Sequence, residues 1–144
     1  QAFIDNTLSF AKSQGKTSNV GVFQAEEVTF LQKKGQTIES PIITVEDRLL
    51  IGKKAKRHEN AGDAVSVAEW QELPILIANV KTVLYDVRND SVLYILKSLD
   101  ENDPKVIKLS LRVQNGVIEI VSIFKILDGA IEDGLNATHY ELIR

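Results

Sequence analysis

Hydrophobic and polar residues alternate along two neighbouring stretches of the chain, residues 105–113 and 117–125. A period of two is the pattern of a half-buried β-strand. Between the stretches lie Asn115 and Gly116, which favour a two-residue type I′ turn because both residues tolerate positive φ. The pattern predicts a hairpin, and its register places opposite each other Val113 and Ile118, Arg112 and Glu119, Leu111 and Ile120, and Leu109 and Ser122.

The predicted hairpin has one apolar face and one mixed face. A slip of one residue would exchange the two faces, so burial of the apolar face should fix this register. The apolar face, interrupted once by a serine, consists of Ile107, Leu109, Leu111, Val113, Ile118, Ile120, Ser122 and Phe124. The mixed face is expected to meet water and consists of Lys108, Ser110, Arg112, Glu119, Val121, Ile123 and Lys125.

Helix signals precede these strands. Thr44 and Asp47 form a variant of the capping box, and the helix predicted to follow has acids at its start and bases at its end, as the helix dipole favours. Ser66 and Glu69 form a second capping box, and Pro74 ends or restarts that helix. Residues 81–87 and 91–98 are predicted strands joined by a turn, and residues 138–143 a last short strand.

The order of these elements predicts an α+β fold, with N-terminal helices packed on a four-stranded antiparallel β-sheet. Residues 1–37 carry weaker signals, because residues 20–31 suit a strand as well as a helix. We expect residues 1–37 to be an N-terminal extension or the end of a preceding region, and residues 38–144 to be the α+β domain. The chain starts at Gln1 and contains no methionine, so we expect it to be part of a longer polypeptide.

Composition narrows the function classes. The 144 residues have a formal net charge of −3, so nucleic-acid binding would require a local basic patch. The absence of cysteine excludes disulfides and thiolate chemistry, and two histidines are too few for a histidine-rich metal site. Nucleotide-loop, zinc-hydrolase and serine-hydrolase motifs are absent, and no apolar run is long enough to span a membrane. We therefore expect no cofactor, no metal and no membrane partner.

The end of the first predicted helix concentrates positive charge. Lys54 and His58 are four residues apart, so on a helix they lie next to each other. Metal-independent RNA cleavage needs a base, an acid and cations near the phosphate, and the pKa of histidine is ordinarily near neutrality. His58 is therefore a candidate acid or base, although the segment also suits a solvated helix end. The candidate phosphate-binding residues here are Lys53, Lys54, Lys56 and Arg57.

The hairpin supplies the remaining candidates. The hydroxyl of Ser122 either lines a site or hydrogen-bonds to a neighbouring group. Glu119 opposite Arg112 suits a proton acceptor beside a phosphate-binding cation, but opposite charges across strands are also common and contribute only about 0.2–1 kcal/mol. Lys108 and Lys125 add positive charge to the mixed face, which makes them further candidates for phosphate binding.

A group of sequence features resembles a known family. They are residues 43–50, the basic segment ending at His58, residues 70–74 with their Leu-Pro pair, residues 83–86 and the terminal hairpin. Together, over residues 38–144, they resemble the nuclease-like domains at the C-terminus of phage Mu F-type head morphogenesis proteins. That group is classed with the barnase, EndoU, colicin and RelE-like ribonucleases. The resemblance implies helices on a four-stranded antiparallel sheet and, in active members, an RNA-cleaving or toxin-like site.

Two functions are therefore expected as alternatives. The first is a phage- or prophage-derived, metal-independent ribonuclease or toxin-like domain whose catalytic residues are His58, Ser122, Arg112 and Glu119. Its partners would be RNA and an immunity protein, in the bacterial cytoplasm or the virion. The second is a catalytically silent structural or interaction domain of a phage head morphogenesis protein, bound to other head proteins. The basic helix end favours the enzyme. The net negative charge favours the silent domain, and so does the position of His58 at the end of the basic segment, since the family that the chain resembles has a histidine near the start of that helix.

Overall fold

The structure is a computed structural model, and it describes residues 15–51 and 61–144. Its strands are β1 (Thr17–Val22), β2 (Ile42–Glu46), β3 (Thr82–Asp86), β4 (Ser91–Lys97), β5 (Lys105–Gln114), β6 (Val117–Leu127) and β7 (Tyr140–Leu142). They form one seven-stranded sheet in the order β1-β2-β6-β5-β4-β3-β7. Neighbouring strands are antiparallel except β2 and β6, which run parallel, so the sheet is mixed.

Short helices connect the strands within the described ranges. They are α1 (Ala25–Lys33), α2 (Arg48–Ile51), α3 (Val67–Gln71), α4 (Leu73–Ala78) and α5 (Asp128–Asn136). The predicted capping box is present at α3: Ser66 Oγ accepts from the Glu69 N–H at 3.1 Å, and the Ser66 N–H donates to Glu69 Oε1 at 3.0 Å. Pro74 lies in the first turn of α4, where a missing N–H costs little, so the helix restarts there.

The two faces of the sheet have different covers. We call the face packed against α1–α4 the inner face; it holds the main core, which includes Leu31, Leu49, Trp70 and Ile77 from the helices. We call the opposite side the outer face. There, among the elements described, α5 covers the area where Ile131 packs on Leu84 and Leu93. Beyond this area, the described outer face of β5 and β6 carries the polar residues Lys108, Ser110, Arg112, Glu119 and Ser122 beside the apolar Phe124.

The predicted fold class is wrong. The structure is mostly sheet, one seven-stranded mixed sheet with short helices, rather than N-terminal helices on a four-stranded antiparallel sheet. The expected meander of β3 to β6 does form. However, β1 and β2 add to it beside β6, and β7 adds at the other edge. The last strand, predicted over residues 138–143, is present as β7. The sequence pattern did not predict that β1, β2 and β7 join the sheet, because short strands are defined by their partners more than by periodicity.

Two further expectations concern the first fifty residues. The helix predicted to begin at Thr44 begins later, because Thr44 lies in β2 and α2 starts only at Arg48. Val20, Phe23 and Leu31, all before residue 38, belong to the same buried cluster as the core of the sheet. The structure therefore joins part of the predicted N-terminal extension to the sheet through β1 and α1.

The terminal hairpin is confirmed near its turn and wrong further along. Asn115 and Gly116 have φ of 55° and 80°, as a type I′ turn requires. The predicted partners hold as far as Leu111 opposite Ile120. A β-bulge then shifts the register: Ser110 faces Ser122, and Leu109 faces Ile123 instead of Ser122. Beyond the bulge, the faces of β6 are exchanged relative to the prediction.

Candidate anion-binding site on the outer face

The bulge decides which side chains share the outer face. Without it, Ser122 would face the core; with it, Ser122 lies on the same face as Lys108, Ser110 and Arg112. Val121 is the extra residue, since Leu111 pairs with Ile120 and Ser110 with Ser122. β-Bulges often re-aim side chains beside functional sites. Here the bulge joins two predicted groups of candidates, Ser122 on one face and the charged hairpin residues on the other.

A shallow polar cavity of about 260 Å³ lies at this place. Its lining includes the facing serines Ser110 and Ser122, and Lys108 and Arg112 lie two residues to either side of Ser110 on β5. Small hydroxyl side chains leave room for a ligand and also donate hydrogen bonds to it. The residues that line the cavity are Asp86, Asn89, Ser91, Lys108, Ser110, Arg112, Val121 and Ser122.

The two cations of the cavity differ in their contacts. Lys108 Nζ lies 5.1 Å from the centre of the Phe124 ring, a cation–π contact that orients the ammonium group. Arg112 is exposed and lies opposite Glu119, which is half-buried. Within the described ranges, Arg112 and Glu119 form neither a hydrogen bond nor an ion pair with each other. Among the residues that the structure describes, neither side chain has another hydrogen bond or ion pair, so the guanidinium donors of Arg112 and the carboxylate oxygens of Glu119 are open to a ligand there.

Asp86 lines the cavity on the side of β3, and its carboxylate stabilises the turn that follows. Its Oδ1 accepts from the N–H groups of Arg88 and Asn89 at 3.1 and 3.2 Å, and its Oδ2 accepts from Asn89 Nδ2 at 2.8 Å. These bonds hold the turn between β3 and β4. Asp86, Asn89, Ser91 and Ser110 are not among the site residues predicted from the sequence. The turn residues and the position of Ser110 on the mixed face of β5 follow from the sequence, but the sharing of one cavity by four strands does not.

Lys125 lies apart from the outer-face cavity. The bulge turns it toward α3, where its Nζ contacts Glu69 Oε1 at 2.9 Å and Asp103 Oδ2 at 2.8 Å. Burial opposes the charge of this lysine, but the two carboxylates outweigh it and raise the pKa of Lys125. Burial likewise acts to raise the pKa of Glu69, and hydrogen bonds from Ser66, Lys125 and Leu99 outweigh it, so the pKa of Glu69 is lowered. This cluster ties α3, the β4–β5 loop and β6 together.

A second buried carboxylate also serves the fold. Glu27 is fully buried and accepts hydrogen bonds from the Tyr94 hydroxyl at 2.6 Å, from the Gln24 N–H at 2.9 Å and from Arg144 Nε. Burial and the bond to Glu27 raise the pKa of Tyr94 strongly. The sequence gives no signal for the contacts of Tyr94 and Arg144 with Glu27, because these residues are far apart in the chain.

The remaining predicted site residues are not in the described ranges. His58, Lys53, Lys54, Lys56 and Arg57 fall in the segment 52–60, outside the part of the chain that the structure describes. Of the ten candidates, the structure therefore brings Lys108, Arg112 and Ser122 to one cavity, places Glu119 next to Arg112, and separates Lys125 from them.

No family model, no curated protein and no solved structure matches the chain. Among the residues described, no group of three or more histidine or carboxylate side chains is arranged to hold a metal ion. None of the helices described is long and apolar enough to cross a bilayer.

Proposed function

We propose that the outer-face cavity binds a phosphate group of RNA and that the protein is a metal-independent ribonuclease or toxin-like domain. The observation that carries the proposal is the convergence of Lys108, Arg112 and Ser122 on one cavity beside Glu119. Arginine and lysine are the side chains best suited to phosphate, and hydroxyl groups donate to its oxygens. A phage or prophage origin, in the bacterial cytoplasm or the virion, is supported only by the sequence resemblance of residues 38–144.

Each residue then has a defined task in the reaction. Glu119 accepts the proton of the 2′-hydroxyl, whose oxygen attacks phosphorus and forms the cyclic phosphate while the bond to the 5′ oxygen breaks. Arg112 and Lys108 stabilise the negative charge that develops on the phosphate oxygens, and Ser122 donates a hydrogen bond to one of them. The leaving 5′ oxygen needs a proton, and His58 is the residue expected to supply it.

Binding and cleavage are tested separately. Affinity for labelled single-stranded RNA is measured in EDTA for wild type, Arg112→Ala and Lys108→Ala, with Lys33→Ala on the exposed side of α1 as a control of equal charge. Removing either cavity cation should weaken binding by about tenfold, since hydrogen bonds to charged groups contribute about 1.5–3 kcal/mol. If all four proteins bind RNA with equal affinity, the outer-face cavity is not the RNA-binding site.

Cleavage is followed on a denaturing gel for wild type, Glu119→Gln and His58→Ala, with Glu101→Gln in an exposed loop as the carboxylate control. Loss of a general base or acid should slow cleavage about 10²–10⁴-fold, and the RNA affinity of each variant is measured alongside. Binding without cleavage would reduce the proposal to an RNA-binding domain. If folded protein neither binds nor cleaves any RNA, the silent structural or interaction domain is the correct alternative.

A further inference from the structure

One row of polar side chains crosses most of the sheet on its outer face. Asn19 in β1 pairs with Thr44 in β2, and Thr44 pairs with Glu119 in β6. Glu119 pairs in turn with Arg112 in β5. In β4, Val92 pairs with Leu111, so the preceding residue, Ser91, continues the row beside Arg112. We call Asn19, Thr44, Glu119, Arg112 and Ser91 the polar row.

The polar row is much longer than the cavity at its end. It crosses four gaps between neighbouring strands, and at about 4.8 Å for each gap it is about 19 Å long. Only Arg112 and Ser91 of the row line the cavity. Asn19 lies at the far end and is exposed. A ligand that used the whole row would therefore be an extended chain rather than a single phosphate or nucleotide.

The chemistry of the row mixes donors and acceptors. Arg112 offers only donors, and Glu119 offers only acceptors. Thr44 Oγ1 donates its hydrogen to the Ile118 carbonyl at 3.1 Å, which leaves its oxygen to accept from a ligand. An RNA backbone presents both acceptors, on phosphate, and donors, on the 2′-hydroxyls, whereas a DNA backbone presents acceptors alone. The mixed row therefore matches the backbone of RNA better than that of DNA.

We propose that the polar row binds a single RNA strand of several nucleotides that runs across the sheet from the cavity toward β1, with recognition of its 2′-hydroxyls by Glu119 and Thr44. The inference rests on the proposed RNA function and adds length and sugar selectivity to it. Sheet faces that bind single strands cover about 4–16 nucleotides, and a row of this length lies at the lower end of that range. α5 bounds the path on the side of β3 and β4, since Ile131 covers Leu84 and Leu93.

The test compares ligands of different length and sugar. Fluorescence anisotropy gives the affinity for an RNA dinucleotide, an RNA hexanucleotide and a DNA hexanucleotide, in the cold, with RNA integrity checked afterwards on a gel. The proteins are wild type, Arg112→Ala, Asn19→Ala and the control Asn102→Ala, an exposed asparagine in the β4–β5 loop. Asn19→Ala should weaken hexanucleotide binding about three- to tenfold and leave the dinucleotide unchanged, because one hydrogen bond contributes about 0.5–1.5 kcal/mol.

The outcomes separate this inference from the function it rests on. The polar row is supported if the RNA hexanucleotide binds more tightly than the dinucleotide and the DNA hexanucleotide. Asn19→Ala should also weaken hexanucleotide binding, and Asn102→Ala should not. If dinucleotide binding depends on Arg112 but the hexanucleotide binds no better, the row is wrong and the RNA-binding cavity stands. If DNA binds as tightly as RNA, recognition of the 2′-hydroxyls is wrong. If Arg112→Ala changes nothing, both proposals fail.

Discussion

Ser110 and Ser122 face each other across β5 and β6, although regular alternation from the turn would place Leu109 opposite Ser122. The cause is one extra residue, Val121, which is accommodated as a bulge. Its consequence is that every residue of β6 after Val121 changes face. Ser122 joins the outer-face cavity, Ile123 enters the core and Lys125 moves to the buried ion cluster. The bulge therefore sets both the candidate site and the packing of β6.

The bulge predicts which positions of β6 are sensitive to truncation. Ile123 is 6% exposed and belongs to the main core, so Ile123→Ala should lower the free energy of unfolding by about 2–5 kcal/mol. Val121→Ala shortens a half-buried side chain and should cost less than about 1.5 kcal/mol. Urea unfolding measures both. Equal, small losses would mean that β6 follows the unbulged register, in which both residues lie on the mixed face.

The buried ion cluster predicts a strong effect of Lys125 on stability. Lys125→Met leaves Glu69, which is 1% exposed, without its cation, and should lower the free energy of unfolding by about 3–5 kcal/mol. Lys97→Met, at an exposed position of β4, removes the same charge and should change stability by less than about 0.5 kcal/mol. At temperatures where Lys125→Met is folded, its affinity for RNA should equal that of wild type. Weaker RNA binding by this variant would mean that Lys125 binds phosphate, as predicted from the sequence.

The same cluster predicts how stability depends on pH. The pKa of Glu69 is lower in the folded protein than its ordinary value of 4.5, so the unfolded chain takes up the proton more readily. The stabilising contribution of Glu69 is therefore fully present above its ordinary pKa and is lost as pH falls through the folded pKa. The urea midpoint of wild type should exceed that of Glu69→Gln near about pH 7, and the difference should shrink toward about pH 3. A difference that is independent of pH would contradict the lowered pKa; Glu101→Gln serves as the exposed control.

The contact between α5 and β7 predicts opposite effects for two glycines of one helix. A Cβ on Gly134 would lie 2.6 Å from Tyr140 Cδ2, so Gly134→Ala must displace a ring that packs with Leu84 and Leu93. We expect a loss of about 1–3 kcal/mol. A Cβ on Gly129 meets nothing within 4 Å, so Gly129→Ala should stabilise the protein by up to about 1 kcal/mol through higher helix propensity. Thermal unfolding of the two variants checks this, and a stable Gly134→Ala protein would show that the ring moves freely.

Local chemistry made part of the fold and site predictable. The turn at Asn115-Gly116, the capping box of Ser66 and Glu69, and the restart at Pro74 all depend on neighbouring residues, and each is present. The pairing of Arg112 with Glu119 followed from the turn. Only two residues on each strand lie between this pair and Asn115-Gly116, and no bulge intervenes. Lys108 and Arg112 were placed on the correct face because the extra residue lies in β6 and the alternation of β5 is uninterrupted.

What the sequence by itself determined is the set of strands in the meander, the hairpin turn and the polar character of one face of β5. These features follow from periodicity and turn conformation, which act over a few residues. Only the tertiary structure decided that β1, β2 and β7 complete the sheet, that Val121 is bulged, and that Lys125 belongs to Glu69 and Asp103. Whether a short strand pairs with a sheet edge, and whether a strand is bulged, depends on how much apolar surface the whole chain buries as a result. That burial depends on residues far apart in the sequence, and so the candidate site became visible only in the folded protein.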